Sequence, residues 1–379
     1  MNLAGRSSTG QSQFGLINLL KAGAAQLIVL HHLALYGPMT GHARPLMADL
    51  FDWLEDWGRL AVQVFLVIGG FLAAKSLAPD GYATLTRPVT TIWRRYAKLA
   101  PPFVAAMLLA IAASAIARTW MDHDSISDPA TLGQFAAHVL LLHGVLGYES
   151  LSAGAWYVAI DFQLYALMAA LLWLSGRLPG AANSPWRVPA VVLLCAIGSL
   201  LYFNLDGGWD VWAPYFFGSY GLGVLAWWAS DRRRRPASIV LLLAMILVPT
   251  LTALTIEFRS RIALALAVAV VLFLFGRARL PGIDSKAGAA VNGLARISYS
   301  IFLVHFPVCL VVNAAFERFV PADPEWQALG VALAWAASVA AGAVFFHWVE
   351  KPLGQLWRAP RRPRFHYQPY GGLPTQMGS

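Results

Sequence analysis

The chain has 379 residues, of which 58% are hydrophobic and only 12% are charged, and its formal net charge at pH 7 is +9. Soluble domains carry about 25% charged residues, so this composition excludes an ordinary soluble domain and is typical of a polytopic membrane protein. The two cysteines, Cys195 and Cys309, lie inside apolar runs, which disfavours a disulfide framework and a metal cluster. The basic excess is expected to orient the protein in the bilayer and not to bind nucleic acid.

Ten apolar runs are long enough to cross a bilayer as helices. They lie near residues 14–37, 57–77, 97–118, 155–176, 188–204, 211–229, 237–255, 260–276, 295–316 and 327–349. An eleventh run, 132–146, is shorter and contains His138 and His143.

The distribution of lysine and arginine decides whether run 132–146 crosses. If it does not, the basic residues concentrate on the cytoplasmic side, and the exceptions are Arg44, Arg59, Arg118, Arg259, Arg261 and Arg318. If it crosses, the downstream topology inverts and the four arginines at 232–235 face outward, against the positive-inside rule. The expected fold is therefore all-α, with ten transmembrane helices, both termini cytoplasmic, and a short re-entrant or interfacial helix at 132–146 on the outer side.

The first run, "LLKAGAAQLIVLHHLALYGP" at 19–38, contains a lysine and two histidines. At about 100° per residue, Lys21 and His32 share one helix face about 16 Å apart along the axis, whereas His31 points about 80° away. An ionisable group at bilayer depth costs about 2.5–3.5 kcal/mol, so each needs a partner or a function. The pattern favours a structural role for His31 and leaves open catalysis or helix packing for His32.

The fourth run carries Asp161 in "WYVAIDFQLY". In the expected topology, Asp161 and His32 lie at the same depth below the outer surface. A carboxylate beside an imidazole fixes its tautomer and raises its basicity. We therefore expect Asp161 to lie beside His32, with Tyr165 one turn below it. His305, near the middle of a later run, is a third candidate, as a proton relay or as packing support.

A basic stretch, "RPVTTIWRRYAKLAPP", precedes the third run. Arg95 and Lys98 are one turn apart there, just before Pro101 and Pro102. This cluster is consistent with a solvated topology determinant. It is equally consistent with a grip for the phosphates of an anionic cytosolic ligand.

Motifs along nearly the whole chain resemble acyltransferase family 3, the polytopic O-acyltransferases of bacterial membranes. The matching stretches are "NLLK" ending at Lys21 with His32 eleven residues on, "FLVIGGF" at 65–71, "RYAKLAP" at 95–101, "WYVAIDFQLY" at 156–165, "SYSIFLVH" at 298–305, and Glu350-Lys351-Pro352. Lys21, Gly69, Lys98 and Asp161 replace the family's Arg, Ser, Arg and Glu. Charge is kept at Lys21, Lys98 and Asp161, whereas Asn18 stands where the family usually has Asp.

The resemblance implies a single transmembrane acyltransferase domain at 1–352 and a short, irregular, basic cytoplasmic tail at 353–379. It implies acyl-CoA, usually acetyl-CoA, as co-substrate without a bound cofactor or metal, and a hydroxyl of an extracytoplasmic glycan or glycolipid as acceptor. It also implies a location in the bacterial cytoplasmic membrane, in contact with lipid and with a separate extracytoplasmic transferase where a second transfer step is needed.

The residue roles follow from the same resemblance. His32, oriented by Asp161, is the expected general base or acyl relay, with His305 as the third catalytic candidate. Donor-binding residues are Lys21, Arg95 and Lys98; substrate-binding residues are Tyr165 and Trp156; structural motif residues are Gly70, Tyr299 and Glu350.

Two other functions remain open at this stage. A proton-coupled secondary transporter of a glycan or small anion would also use ionisable residues within the membrane. A non-catalytic membrane scaffold would leave the buried carboxylate of Asp161 unexplained.

Overall fold

The computed structural model describes residues 15–178, 184–278 and 285–356, and within these ranges the chain is helical without a β-strand. The α-helices are α1 (Gly15–Leu35), α2 (Pro38–Ala43), α3 (Ala48–Trp57), α4 (Ala61–Leu77), α5 (Pro88–Trp120), α6 (Leu132–Val139), α7 (Ala155–Arg177), α8 (Arg187–Leu201), α9 (Ala213–Ala229), α10 (Pro236–Ile256), α11 (Ser260–Phe275), α12 (Lys286–Phe319), α13 (Pro324–Phe345) and α14 (Lys351–Leu356). A π-helical turn, Phe346–Glu350, joins α13 to α14. The all-α prediction is confirmed for these residues.

Each of the ten predicted apolar runs contains a helix. Eight stretches of the described chain are long and apolar enough to cross a membrane, because a helix satisfies all its backbone hydrogen bonds internally. The other two runs form α9, with 17 residues, and α11, with 16 residues. A polytopic membrane protein is thus confirmed, whereas the number of crossings and the side of the termini stay predictions.

Helix α9 is the centre of the bundle. Nearly all of its residues are buried, and it packs against α4, α7, α8, α10 and α11. A helix that is apolar on every side is buried, either in lipid or in a protein core. Helix α9 is surrounded by other helices and not by lipid.

The crossing of α4 and α9 is a contact between backbones. A Cβ atom added to Gly70 would lie 1.9 Å from the Tyr220 carbonyl oxygen, and one added to Gly223 would lie 1.9 Å from that of Val67. Small residues allow such close approach of membrane helices. The "FLVIGGF" stretch therefore fixes how α4 seats on the core helix.

Helix α5 begins earlier than the predicted run at 97. It starts at Pro88, where the missing N–H of proline is tolerated, and its 33 residues extend through Pro101 and Pro102. At about 1.5 Å per residue it is about 50 Å long, well beyond a hydrocarbon core of about 30 Å. The basic stretch is therefore part of the helix and not a preceding loop.

The predicted short helix at 132–146 is present but smaller. Helix α6 has 8 residues and ends at Val139, and turns follow it. Thr131 and Gln134 form a capping box at its start. It packs on α5 through a hydrogen bond of 2.8 Å from the Tyr96 hydroxyl to the Val139 carbonyl. Eight residues are too few to cross a bilayer.

The prediction of an irregular tail from residue 353 is wrong for its first residues, which are helical. Helix α14 extends to Leu356 because the chain continues from the π-helical turn without a break. Residues 357–379 lie outside the described part of the chain.

Candidate active site

The two buried histidines of α1 and α12 form a direct pair. His32 Nδ1 and His305 Nε2 are 2.6 Å apart, and the two ring planes are parallel to within 6°. His305 is fully buried, and His32 is 8% exposed. The packing of α1 against α12 thus brings together two of the three predicted catalytic residues.

The hydrogen bonds assign the tautomers of a neutral pair. His305 Nδ1 lies 3.1 Å from the Ile301 carbonyl oxygen, which can only accept, so this nitrogen carries the proton. His305 Nε2 is then an acceptor, and His32 Nδ1 donates to it. The lone pair of His32 is left on Nε2, the position from which a general base acts.

His31 has a different partner, as its helix face indicated. Its Nδ1 donates to the Leu54 carbonyl oxygen at 2.8 Å and so ties α1 to α3. A Cβ atom added to Gly58 would lie only 2.7 Å from the Cβ atom of His31. His31 also lines the cavity on which His32 opens, so the structural role that the sequence favoured stays a prediction.

His32 opens on a cavity of about 1190 Å³, which we call the histidine chamber. Its wall near the pair includes Tyr36, Phe302 and Phe306. Tyr36 was missed by the sequence analysis, although it follows His32 by four residues and so shares its helix face. Trp156, predicted to bind substrate, also lines the chamber and packs against Phe216.

The expected pairing of Asp161 with His32 is wrong. Asp161 Oδ2 instead accepts from Arg95 Nη2 at 2.5 Å, and His305 takes the position beside His32. Equal depth on two helices does not make two residues neighbours, since it leaves the direction around each helix undetermined. A guanidinium is also the stronger partner for a carboxylate in a low-dielectric site.

Asp161 and Arg95 line a second cavity of about 560 Å³, the arginine cavity. Arg87, Arg94 and Lys98 also line it. The Arg95 guanidinium carbon lies 5.1 Å from the ring centroid of Tyr165. Tyr165 therefore belongs to this cavity and not to the histidine chamber, whereas the predicted basic cluster does surround one cavity.

Lys21 joins this basic cluster from α1. It lies within electrostatic range of Arg95, Lys98 and Glu350. Glu350, in the π-helical turn, accepts from the Ser300 hydroxyl at 2.6 Å. The three predicted donor-binding residues thus lie within electrostatic range of one another, beside the carboxylates of Glu350 and Asp161.

The predicted motif residues lie next to these sites. The Tyr299 hydroxyl donates to the Leu99 carbonyl at 3.0 Å, which fastens α12 to α5 beside the proline pair. Gly70 lies at the crossing of α4 and α9 described above. An added Cβ at Gly69 would touch Asp161 Oδ1 and the Tyr220 ring, both at 3.4 Å.

The two cavities approach each other along the same helices. On α4, Gln63 lines the histidine chamber and Gly69 lines the arginine cavity, about 9 Å apart along the axis. On α7, Ile160 lines the chamber, and the adjacent Asp161 lines the arginine cavity. The two helices thus separate a basic site from a histidine site by a thin partition.

A second histidine pair follows α6. His143 stacks on His138 at 4.0 Å between ring centroids, and a backbone of positive φ (58°) at Leu141 turns the chain between them. Both nitrogens of His138 are bonded, to the Gln134 carbonyl and the Leu151 N–H. Neither nitrogen of His143 has a protein partner. Burial and the neighbouring His138 lower the pKa of His143 to about 3, so it is neutral at pH 7.

Comparison with known proteins gives one match. The family model described as an acyltransferase domain, of the family 3 type, matches residues 15–348, a range that includes both cavities. No curated protein and no solved structure matches the chain significantly.

Proposed function

Because the chain belongs to acyltransferase family 3, we propose that it is a membrane O-acyltransferase that uses acyl-CoA, with acetyl as the expected acyl group. The acceptor is a hydroxyl of an extracytoplasmic glycan or glycolipid, and the enzyme acts in the bacterial cytoplasmic membrane. The observation that carries this proposal is the His32–His305 pair, whose geometry leaves a basic nitrogen beside a large cavity.

The arginine cavity is the proposed site of the donor. CoA carries several phosphates, and arginine forks match phosphate oxygens in geometry and charge. Arg87 and Arg94 line the cavity together with Arg95 and Lys98. Since Arg95 is held by Asp161, its role is to shape the cavity and contribute charge, and Arg87 and Arg94 are the direct phosphate ligands.

The acceptor hydroxyl binds in the histidine chamber beside His32. Nε2 of His32 takes the hydroxyl proton as the hydroxyl oxygen attacks the thioester carbonyl carbon. The carbon–sulfur bond breaks, and the proton passes from His32 to the departing CoA thiolate. The products are the O-acyl ester and free CoA. His305 acts as a positioning residue, because it holds the tautomer and ring orientation of His32.

The test compares His32→Ala with His31→Ala, which removes the adjacent histidine. Inverted membrane vesicles that contain the native acceptor are supplied with acetyl-CoA, and the release of CoA thiol is followed. We expect His32→Ala to lose about 10²–10⁴-fold in rate, the usual contribution of a general base, and His31→Ala to stay within about threefold of wild type.

Equal rates in the wild type and in a folded His32→Ala variant would remove His32 from the chemistry. Absence of acceptor-dependent CoA release in the wild type would contradict acetyl-CoA as donor.

A further inference from the structure

The histidine chamber contains two arginines that form no close ion pair with a carboxylate in the described part of the chain. Arg259 and Arg261 flank the start of α11, and both line the chamber. Arg259 is only 7% exposed. Among the described residues, neither forms an ion pair with Asp or Glu within 4 Å. A buried charge without a counter-ion is costly.

The existing contacts of both guanidinium groups are to neutral groups. Arg259 donates to Asn204 Oδ1 at 2.8 Å and to the Leu200 carbonyl at 2.9 Å. Arg261 donates to the Asn204 carbonyl at 3.0 Å and lies over the Tyr215 ring. The Nε–H of each arginine is buried and has no partner. The two guanidinium groups therefore meet at Asn204, and neutral partners leave both positive charges in place.

The helix itself adds positive potential at the same place. Helix α11 has 16 residues, no acidic residue in its first turn and no side-chain cap. The first N–H groups of such a helix point at the space before it and favour an anion there. Phe258 and Ser260 line the chamber beside the two arginines, so this helix start faces the cavity.

The position of these arginines in the membrane topology is also unusual. They belong to the six basic residues that the sequence places on the outer side, where lysine and arginine are disfavoured. Arg59, a third member of that set, lines the same chamber. Carboxylates line it as well, at Asp122, Asp124, Asp128, Glu149 and Asp210. The chamber thus contains both signs of charge, and an anion would be directed to the start of α11.

We propose that Arg259, Arg261 and the start of α11 form an anion subsite, and that the acceptor is an acidic saccharide, carrying a carboxylate or a phosphate. This inference rests on the proposed function, because it assigns the acceptor to the histidine chamber. The subsite holds the anionic group of the acceptor, and the hydroxyl to be acylated faces His32 in the same cavity.

The test measures binding without acyl-CoA, so that it does not depend on turnover. Purified protein in nanodiscs is titrated with glucuronate, glucose 1-phosphate and glucose, and tryptophan fluorescence is followed, since Trp156 lines the chamber. We expect at least one charged sugar to bind about tenfold or more tightly than glucose. Preference for glucuronate identifies a carboxylate, and preference for glucose 1-phosphate identifies a phosphate.

Three variants assign that preference to the subsite. Arg261→Gln should abolish it, Arg261→Lys should retain most of it, and Arg318→Gln, an exposed arginine at the end of α12, should leave it unchanged. Thermal unfolding of each variant confirms that it is folded, and Arg261→Lys keeps the test valid if Arg261→Gln is unstable.

Equal binding of the three sugars, no binding up to about 50 mM, or an unchanged preference in Arg261→Gln would overturn the proposal. Acetyl-CoA consumption in vesicles tests the proposed function separately. An active enzyme without a charge preference would therefore contradict the anion subsite alone.

Discussion

The arginine cavity and the histidine chamber differ in whether their charged groups are paired with groups of opposite charge. In the arginine cavity a guanidinium is matched by a carboxylate, Arg95 by Asp161, and Glu350 lies among further cations. In the histidine chamber two imidazoles pair with each other, and within the described ranges the arginines at the start of α11 form no ion pair with a carboxylate. A matched pair holds its shape without ligand, whereas unmatched groups keep their hydrogen-bonding capacity for one.

The largest expected effect comes from breaking the histidine pair on its buried side. His305→Ala removes the acceptor that holds the Nδ1 proton of His32, so its tautomer and ring orientation are no longer fixed. We expect kcat to fall about 10²-fold, with the KM for acetyl-CoA unchanged because the donor binds elsewhere.

CoA release from vesicles gives both constants. His305→Gln, which offers a carbonyl acceptor near the same place, should recover part of the rate. A loss of donor affinity equal to the loss of kcat would indicate a general structural role for His305.

The backbone contact between α4 and α9 can be tested with neighbouring glycines. Gly70→Ala places a methyl group 1.9 Å from the Tyr220 carbonyl oxygen, so α4 and α9 must separate, whereas the nearest atoms to a methyl group at Gly69 are at 3.4 Å. We expect Gly70→Ala to cost about 3 kcal/mol and Gly69→Ala to cost less than about 1 kcal/mol. Thermal unfolding in detergent measures both. Equal melting temperatures would contradict the backbone contact.

The matched pair of the arginine cavity should respond to the loss of one partner. Asp161→Asn leaves Arg95 without its carboxylate, and we expect a loss of about 2–3 kcal/mol, below the 3–5 kcal/mol of fully buried pairs because both side chains line a cavity. Asp161→Asn combined with Arg95→Gln should be more stable than Asp161→Asn alone. Additive losses in this double-mutant cycle would show that the two residues are not coupled.

The second histidine pair gives the smallest effect, a dependence of stability on pH. The pKa of His143 is about 3 in the folded protein and about 6.5 when unfolded. The unfolded state therefore binds the proton first, and stability is lost as pH falls from about 6.5 towards 3. Between pH 7 and pH 5 we expect the free energy of unfolding to fall by about 1–2 kcal/mol. His143→Phe should make the melting temperature nearly independent of pH over this range. An unchanged pH dependence in this variant would contradict the prediction.

Helix positions were predictable from the sequence because spacing and hydropathy are local properties. The face argument agrees with the different partners of His31 and His32, Leu54 and His305, although both histidines line the histidine chamber. The basic stretch at the start of α5 lines one cavity as a group. The partner of Asp161 was not predictable, since the pairing depends on how α5 and α7 are turned towards each other. Nothing local brings the start of α11 to a cavity that also contains His32.

The family motifs identified more than the residue chemistry did. They pointed to Tyr299 and Glu350, which lie far from His32 in sequence. They gave no indication that His305 bonds directly to His32, because a motif records which residues occur and not which atoms meet. Charge matching, which needs three-dimensional contacts, distinguished the two cavities.

The contact between α4 and α9 has a consequence for motion. Two helices whose backbones touch at Gly70 and Gly223 cannot slide along each other, because any displacement would drive a side chain into a carbonyl group. They therefore move as one rigid body, and α4 acts as a fixed wall. Residues of α9 also line both cavities, so the contact of α4 with α9 holds part of the boundary between them in place.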